Sequence, residues 1–172
     1  MSDLSLQIIP SEVKPKDTKA EKLNPKLQKP PFVFCIVGAA GTGKSSLIWT
    51  ICESWYKSYF DYILIYNGVL DANDTFSLLE DTKTSVQVVN EWDPKKFEKW
   101  LTTLDIEQQK LHKEKIKKRN VLVIFDDFIT KDISKKTTVG ILDRAVQNRR
   151  HYNLSIIYSS QSYKQINRSM RA

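Results

Sequence analysis

One octapeptide constrains the fold of this chain more than any other stretch of its sequence. Residues 38–45 read GAAGTGKS and match the pattern G-x-x-x-x-G-K-[ST] at every fixed position. Such a loop wraps a phosphate group with backbone N–H groups, and it needs a strand before it and a helix after it. Residues 32–37 are a short apolar run typical of a strand buried on both faces, and residues 45–57 carry apolar side chains at helical spacing. The sequence therefore predicts a phosphate-binding loop between a first strand and a first helix.

The loop predicts a nucleoside triphosphate as the ligand, together with Mg²⁺. The expected nucleotide contacts are Gly38, Ala39, Ala40, Gly41, Thr42, Gly43, Lys44, Ser45 and Ser46. We expect Lys44 to neutralise charge on the β- and γ-phosphates of ATP and the Ser45 hydroxyl to ligate Mg²⁺. A glycine-rich turn with an incidental lysine is the alternative interpretation.

Two acidic residues follow another apolar strand, residues 121–125 (VLVIF). The carboxyl ends of parallel strands are where α/β proteins form their sites. We expect Asp126 to hold the magnesium ion through a bound water, and Asp127 to orient or deprotonate the water that attacks ATP. The alternative is a solvated acidic turn. Glutamate is commoner than aspartate in the role that we give to Asp127.

The last predicted strand, residues 154–159, has polar or basic residues at both ends. Gln161 follows its tip, where an amide is suited to contact the γ-phosphate or the attacking water; an ordinary loop residue is the alternative. Arg149 and Arg150 precede the strand. They either stabilise the C-terminus of a helix or supply an arginine finger to the active site of a neighbouring subunit.

The rest of the chain alternates strands with helices. Further strands are predicted at residues 62–66 and 85–89, a short helix at 76–80, and longer helices at 94–118 and 137–149. Asp93 and Pro94 are typical of the N-cap and first position of a helix. The alternation predicts an α/β fold, with helical layers on both sides of a mainly parallel sheet.

Composition divides the chain and excludes several classes of protein. All but one of the six prolines lie in the first 31 residues, among charged and polar residues, so we expect a flexible basic arm over residues 1–29 and a folded core over residues 30–172. No apolar run is long enough for a membrane span or a secretory signal, which favours an intracellular protein. Two cysteines make neither a disulfide framework nor a zinc site. The net charge of +7, concentrated in the C-terminal half, favours a polyanionic partner.

Together, the loop, the strand that ends in two acids, and residues 150–163 (RHYNLSIIYSSQSY) resemble the FtsK-HerA group of P-loop ATPases. Within that group the chain is similar to the genome-packaging ATPases of large nucleocytoplasmic DNA viruses (poxvirus type) and of virophages, over residues 32–171. The resemblance implies a RecA/FtsK-like P-loop fold and an ATP-driven translocase of double-stranded DNA. It also implies a pentameric or hexameric ring, capsid proteins as further partners, and a location in the host cytoplasm (the viral factory) or in the virion.

The resemblance also implies roles for single residues. Arg150 corresponds to the arginine that acts in trans, and Arg149 is the second candidate for that role. Gln161 corresponds to a sensor of the γ-phosphate and Asp127 to the water-activating acid, where bacterial members usually carry glutamate. Members of the family generally continue beyond this strand, whereas this sequence ends at Ala172. We therefore expect either a truncated core or an unusually small member.

The expected DNA contacts are basic residues that neutralise phosphates without reading the base sequence: Lys131, Lys135, Lys136, Lys164, Arg168 and Arg171. The basic run at residues 110–119 is more typical of a solvated helix end. Two other functions remain open at this stage. One is a nucleoside or nucleotide kinase, and the other is a nucleotide-binding scaffold that does not hydrolyse ATP.

Overall fold

A computed structural model describes residues 26–67, 84–127 and 136–163, with only the backbone for 136–138. The elements in chain order are β1 (Val33–Val37), α1 (Lys44–Thr50), a π-helical segment (Ile51–Trp55), β2 (Tyr62–Asn67), β3 (Ser85–Val89), α2 (Pro94–Lys113), β4 (Val121–Asp126), α3 (Lys136–Gln147), α4 (Arg149–Tyr152) and β5 (Leu154–Ser160). The predicted helix at 76–80 lies outside the described residues, as do residues 1–25 of the predicted arm. Contacts with the core begin before Pro30, because Leu27 packs against it and the Gln28 carbonyl accepts a hydrogen bond from Tyr56.

The five strands form one sheet in the order β1-β5-β4-β2-β3, and every pair is parallel. The prediction of an α/β fold with a mainly parallel sheet is confirmed. Since all strands run in one direction, their carboxyl ends lie at one edge of the sheet, the usual place of a site in such folds. β5 lies between β1, which leads into the phosphate-binding loop, and β4, which ends in the acidic pair.

Two apolar clusters hold helices against the two faces of the sheet. Side chains that alternate along the strands point to opposite faces. On one face, Leu64, Val123 and Ile156 pack against α2 and α3. On the other, Ile65, Ile124 and Ile157 pack against α1 and the π-helical segment. The three layers place α1, which follows the phosphate-binding loop, on the second face.

β1 differs from its prediction as a strand buried on both faces. It lies at the edge of the sheet, where Cys35 is exposed and Val37 is 44% exposed. The strands that are buried at every position are instead β2, β4 and β5. An apolar run alone does not distinguish an edge strand from a central one, because strand order depends on contacts between distant segments.

α2 starts where the sequence predicts and ends five residues earlier. Asp93 caps it by accepting hydrogen bonds from the backbone N–H groups of Lys95 and Lys96, at 2.9 and 3.1 Å. At the other end Lys115 adopts a left-handed conformation, φ +59°, and the Ile116 N–H bonds back to the Leu111 carbonyl. This is a Schellman termination. Because it uses lysine where glycine is usual, the sequence carries no signal for it.

Candidate functional site

The phosphate-binding loop adopts a conformation that only its glycines tolerate well. Gly41 and Gly43 have positive φ angles of 72° and 84°, a region that costs other residues free energy. A Cβ atom on Gly38 would lie 2.6 Å from the Thr42 hydroxyl oxygen. That hydroxyl donates to the Ala39 carbonyl at 2.8 Å. The loop is therefore tightly folded on itself, as close wrapping of a phosphate requires.

The loop is tied to β5 and opens into α1. The Gly38 N–H donates to the Ser160 carbonyl at 3.2 Å, which extends the β1–β5 ladder by one bond into the loop. Gly43 is the N-cap of α1 and supplies no side chain to the N–H groups of the first turn. Those N–H groups can therefore donate to an anion held over the loop.

Lys44 is a buried cation between the loop and the acidic pair. Its residue is 8% exposed, and its Nζ atom lies 3.2 Å from the Ala39 carbonyl oxygen and 3.6 Å from Oδ2 of Asp127. A buried ammonium group needs such partners in place of water. The ammonium group thus stands where it can exchange Asp127 for the negative oxygens of a nucleotide.

Ser45 and Asp126 meet as a potential magnesium pair. The Ser45 hydroxyl donates to Oδ2 of Asp126 at 2.7 Å, and Asp126 is 2% exposed. Mg²⁺ prefers such oxygen ligands, usually with only one or two from the protein and the rest from water and phosphate. The hydroxyl can donate its proton to Asp126 while its lone pairs face a metal ion. The residues present therefore fit Mg²⁺, and no cluster of three or more His, Cys, Asp or Glu residues competes for a metal within the described ranges.

Asp127 occupies an unusual turn directly after β4. Its φ angle is +46°, and its backbone N–H donates to the Ser159 hydroxyl at 2.8 Å. Oδ2 faces Lys44 and accepts a hydrogen bond from Nε2 of Gln161 at 3.1 Å. Oδ1 is buried, and no group in the described part of the chain forms a hydrogen bond with it. Buried polar atoms usually have a hydrogen-bond partner, so this oxygen is an exception.

Gln161 lies at the tip of β5, as predicted, and the structure brings it into contact with Asp127. Gln161 is exposed apart from this contact. Because β5 separates the loop strand from the acidic strand, its tip reaches both of them. Lys44, Ser45, Asp126, Asp127 and Gln161 thus converge at one edge of the sheet.

The two arginines lie at the opposite edge of the sheet. α4 (Arg149–Tyr152) precedes β5. Because β5 has seven residues, it separates α4 by about 23 Å from the edge where the carboxyl ends of the strands lie. Nη1 of Arg149 donates to the Val146 carbonyl at 3.0 Å, whereas Arg150 is exposed. Within one chain, neither arginine is brought to the phosphate-binding loop.

Ser159 is a site residue that the sequence reasoning missed. Its buried hydroxyl donates to Oδ1 of Asp126 and accepts from the N–H of Asp127. A signal for it exists, because residues two apart on a strand share a face. Ser159 therefore lies on the same side of β5 as Gln161, which was singled out. The predicted DNA contacts at 131, 135, 164, 168 and 171 lie outside the described residues, as does the side chain of Lys136.

No helix in the described part of the chain is long and apolar enough to cross a membrane.

Comparisons with known proteins identify the fold and the family. No curated protein sequence matches the chain. The DNA-packaging ATPase B204 from Sulfolobus turreted icosahedral virus matches at 18% identity and a TM-score of 0.57, over 81% of this chain and 70% of that one. B204 from Sulfolobus turreted icosahedral virus 2, described as a genome-packaging NTPase in complex with ATP-gammaS, matches at 20% identity and a TM-score of 0.54, over 83% and 71%.

A bacterial protein shares the same fold. EssC (ATPases 2 and 3) from Geobacillus thermodenitrificans matches at 16% identity and a TM-score of 0.57, over 82% of this chain. This chain spans only 30% of the EssC chain. The sequence profile of the family described as Poxvirus A32 protein matches residues 20–172, which is most of the sequence. The chain therefore belongs to the Poxvirus A32 protein family.

Proposed function

We propose that this chain is an ATPase that uses the hydrolysis of ATP to move double-stranded DNA into viral capsids. The observation that carries the ATPase part is the convergence of a buried lysine, a serine–aspartate pair, and an aspartate–glutamine pair at one sheet edge. Membership of the Poxvirus A32 family and the shared fold with B204, a DNA-packaging ATPase, support the packaging part. The place of action is then the cytoplasm of the infected cell or the virion.

The nucleotide binds with its phosphates in the loop and its γ-phosphate towards Asp127. The N–H groups of the loop and of the first turn of α1 hold the phosphate oxygens. Lys44 turns from Asp127 to the β- and γ-phosphates, since both are within reach of one flexible side chain. Ser45 and Asp126 would hold Mg²⁺, which would neutralise phosphate charge.

Hydrolysis follows from the position of Asp127. Its buried Oδ1 accepts a hydrogen bond from the attacking water, and Gln161 holds Oδ2 so that the carboxylate keeps its orientation. The water oxygen forms a bond to the γ-phosphorus while the bond from that phosphorus to the bridging oxygen of ADP breaks. The proton of the water passes to Asp127. An aspartate carboxylate on a strained turn thus takes the role that a longer glutamate fills elsewhere.

The site is completed by a second subunit. Arg150 is exposed at the far edge of its own chain and can reach a nucleotide only on a neighbouring copy. Arg149 donates to the Val146 carbonyl in α3 and is the weaker candidate. Chains that are related head to tail in this way form a closed ring when the rotation closes. A ring around DNA agrees with the proposed translocation, with five or six subunits.

The test is the turnover of ATP by the full chain at high protein concentration, with and without double-stranded DNA. We expect DNA-stimulated release of phosphate, and a loss of about 100-fold or more in Lys44→Ala, since the lysine stabilises the transition state. Lys95→Ala, an exposed lysine on α2, is the matched control and keeps the activity. Transfer of phosphate to a nucleoside would instead identify a kinase, and binding of ATP without turnover would identify a scaffold.

A further inference from the structure

Ser159 lies between the two acids of the site without facing the nucleotide itself. It is fully buried, one residue before the end of β5. Its hydroxyl donates to Oδ1 of Asp126 and accepts the backbone N–H of Asp127 at 2.8 Å. A single hydroxyl therefore contacts both residues of the acidic pair, one through its side chain and the other through its backbone.

The first contact fixes the orientation of the Asp126 carboxylate. Its two oxygens accept from different hydroxyls, Oδ1 from Ser159 and Oδ2 from Ser45 at 2.7 Å. Asp126 is 2% exposed, so these hydroxyls take the place of water around the charge. Without Ser159, Oδ1 loses its donor, and rotation of the carboxylate moves Oδ2 away from Ser45. Mg²⁺ demands near-ideal ligand geometry, so such a rotation weakens its binding.

The second contact holds the turn that carries Asp127. Its left-handed conformation, φ +46°, is unfavourable for a residue other than glycine and needs support from its surroundings. The bond from its N–H to the Ser159 hydroxyl is such a support. The same turn directs the carboxylate towards Lys44 and Gln161. Ser159 thus acts on water activation as well as on the metal.

We propose that Ser159 is the positioning residue of this site and sets both the metal affinity of Asp126 and the orientation of Asp127. The inference rests on the proposed function and adds to it a residue that touches neither the nucleotide nor the attacking water. Groups that orient a metal ligand typically contribute a factor of 10 to 100 in metal affinity or activity. Ser159 orients Asp126 in this way and, in addition, accepts the backbone N–H of Asp127.

The experiment compares Ser159→Ala with Ser155→Ala in the full chain. Ser155 is equally buried on the same strand and accepts the Phe32 N–H at 3.3 Å, at the end of β5 away from the acids. The first measurement is the binding of Mn²⁺, a spectroscopic substitute for Mg²⁺, in the presence of a non-hydrolysable ATP analogue, by electron paramagnetic resonance. The second is the affinity for the analogue without metal, which also reports that each variant is folded.

We expect Ser159→Ala to bind Mn²⁺ about 10 to 100 times more weakly than the unaltered chain. We also expect lower kcat for ATP and an unchanged metal-free affinity, whereas Ser155→Ala keeps the Mn²⁺ affinity. Mn²⁺ binding by Ser159→Ala within twofold of the unaltered chain overturns the inference. Equal weakening in both serine variants also overturns it, because that result reflects general loosening of β5.

The proposed function fails in a different way. If the unaltered chain binds the metal and nucleotide but does not turn over ATP, the ATPase assignment is wrong, while the Mn²⁺ measurement still decides the role of Ser159.

Discussion

Gln161 and Lys44 approach the same oxygen of Asp127. Nε2 of Gln161 donates to Oδ2 at 3.1 Å, and Nζ of Lys44 lies 3.6 Å from that atom. A nucleotide that draws Lys44 away leaves Gln161 as the remaining contact to this oxygen. The glutamine is therefore suited to keep the Asp127 carboxylate in its orientation.

Asp127 and Gln161 are expected to act as a unit. Asp127→Asn should lower kcat for ATP by about 10² to 10⁴, because the general base is lost, with little change in ATP binding. Gln161→Ala should also lower kcat, and the double variant should lose much less than the product of the two losses, since the residues share one interaction. The measurement is a double-mutant cycle on kcat.

The chain offers a matched pair for that cycle. Gln109 donates to Asp105 at 2.9 Å on the exposed surface of α2, with the same types of side chain and no contact with the site. Changes in this pair should leave kcat unaltered. Independent losses in the Asp127 and Gln161 variants would show that the contact has no part in hydrolysis.

Arg150 is expected to matter only between subunits. Arg150→Ala should retain nucleotide binding and lose about 10³ to 10⁵ in ATP turnover, the range for an arginine finger. Mixing it with Lys44→Ala should restore part of the turnover, because some interfaces then join an intact Arg150 to an intact Lys44. Arg144→Ala, an exposed arginine paired with Glu98, is the control and should stay active. A mixture as inactive as its components would contradict action in trans.

Two glycines should respond to alanine with opposite signs. Gly140 lies in α3 with open space around its Cα, so Gly140→Ala should stabilise the fold by roughly 0.5–1 kcal/mol through helix propensity. Gly41 has φ +72°, a conformation that costs alanine free energy, so Gly41→Ala should destabilise the fold by roughly 1–2 kcal/mol. Urea unfolding measures both. A Gly140→Ala variant that is less stable than the unaltered chain would contradict the position of α3.

Stability should fall in alkaline solution partly because of Cys52. Burial, with a smaller contribution from the charge of Glu53, raises the pKa of this thiol to about 12. In the unfolded chain it ionises near pH 8.5. Below that pH the thiol is protonated in both the folded and the unfolded state, and its contribution to the free energy of unfolding is at its full value. Between pH 8.5 and 12 only the unfolded state releases the proton, so the free energy of unfolding falls by up to about 1.4 kcal/mol per pH unit.

The measurement is urea unfolding between pH 7 and 10.5. Cys52→Ala should be less stable at pH 7, because a buried side chain becomes smaller, but should lose less stability as the pH rises. Tyr158, whose pKa burial raises to about 12, and other buried tyrosines with raised pKa values, such as Tyr62 and Tyr66, remain in both proteins and contribute to the common decline above pH 10. Identical pH slopes in the two proteins would show that the thiol is not buried as described.

The grouping of the candidate site residues at one edge of the sheet was predictable because these residues follow fixed local rules. The loop motif specifies Lys44 and Ser45, and apolar strands that end in polar residues specify Asp126 and Gln161. That these positions converge follows from the parallel sheet, since the carboxyl ends of its strands share an edge. The alternation of strands and helices, which the structure confirms, was sufficient to predict this convergence.

Some of the parts that sequence reasoning missed depend on contacts between distant segments. Nothing local shows that β5 lies between β1 and β4, and this order is what brings Ser159 to the acids. The exposure of Val37 depends on the same order. Lys115 ends α2 in a conformation usual for glycine, and the choice between Arg149 and Arg150 rests on a carbonyl contact of Arg149. The strand order is a tertiary property, whereas the Lys115 turn and the Arg149 contact are local features that no distinctive residue type marks in the sequence.

The position of β5 has a consequence for a subunit on its own. The strand carries the acid-orienting serine and the glutamine at one end, and the arginine segment at the other, about 23 Å away. Under the proposed function, each subunit thus holds two complementary parts of a catalytic centre that it cannot join by itself. A chain outside the ring then binds ATP without hydrolysing it. Hydrolysis starts only where the ring has assembled.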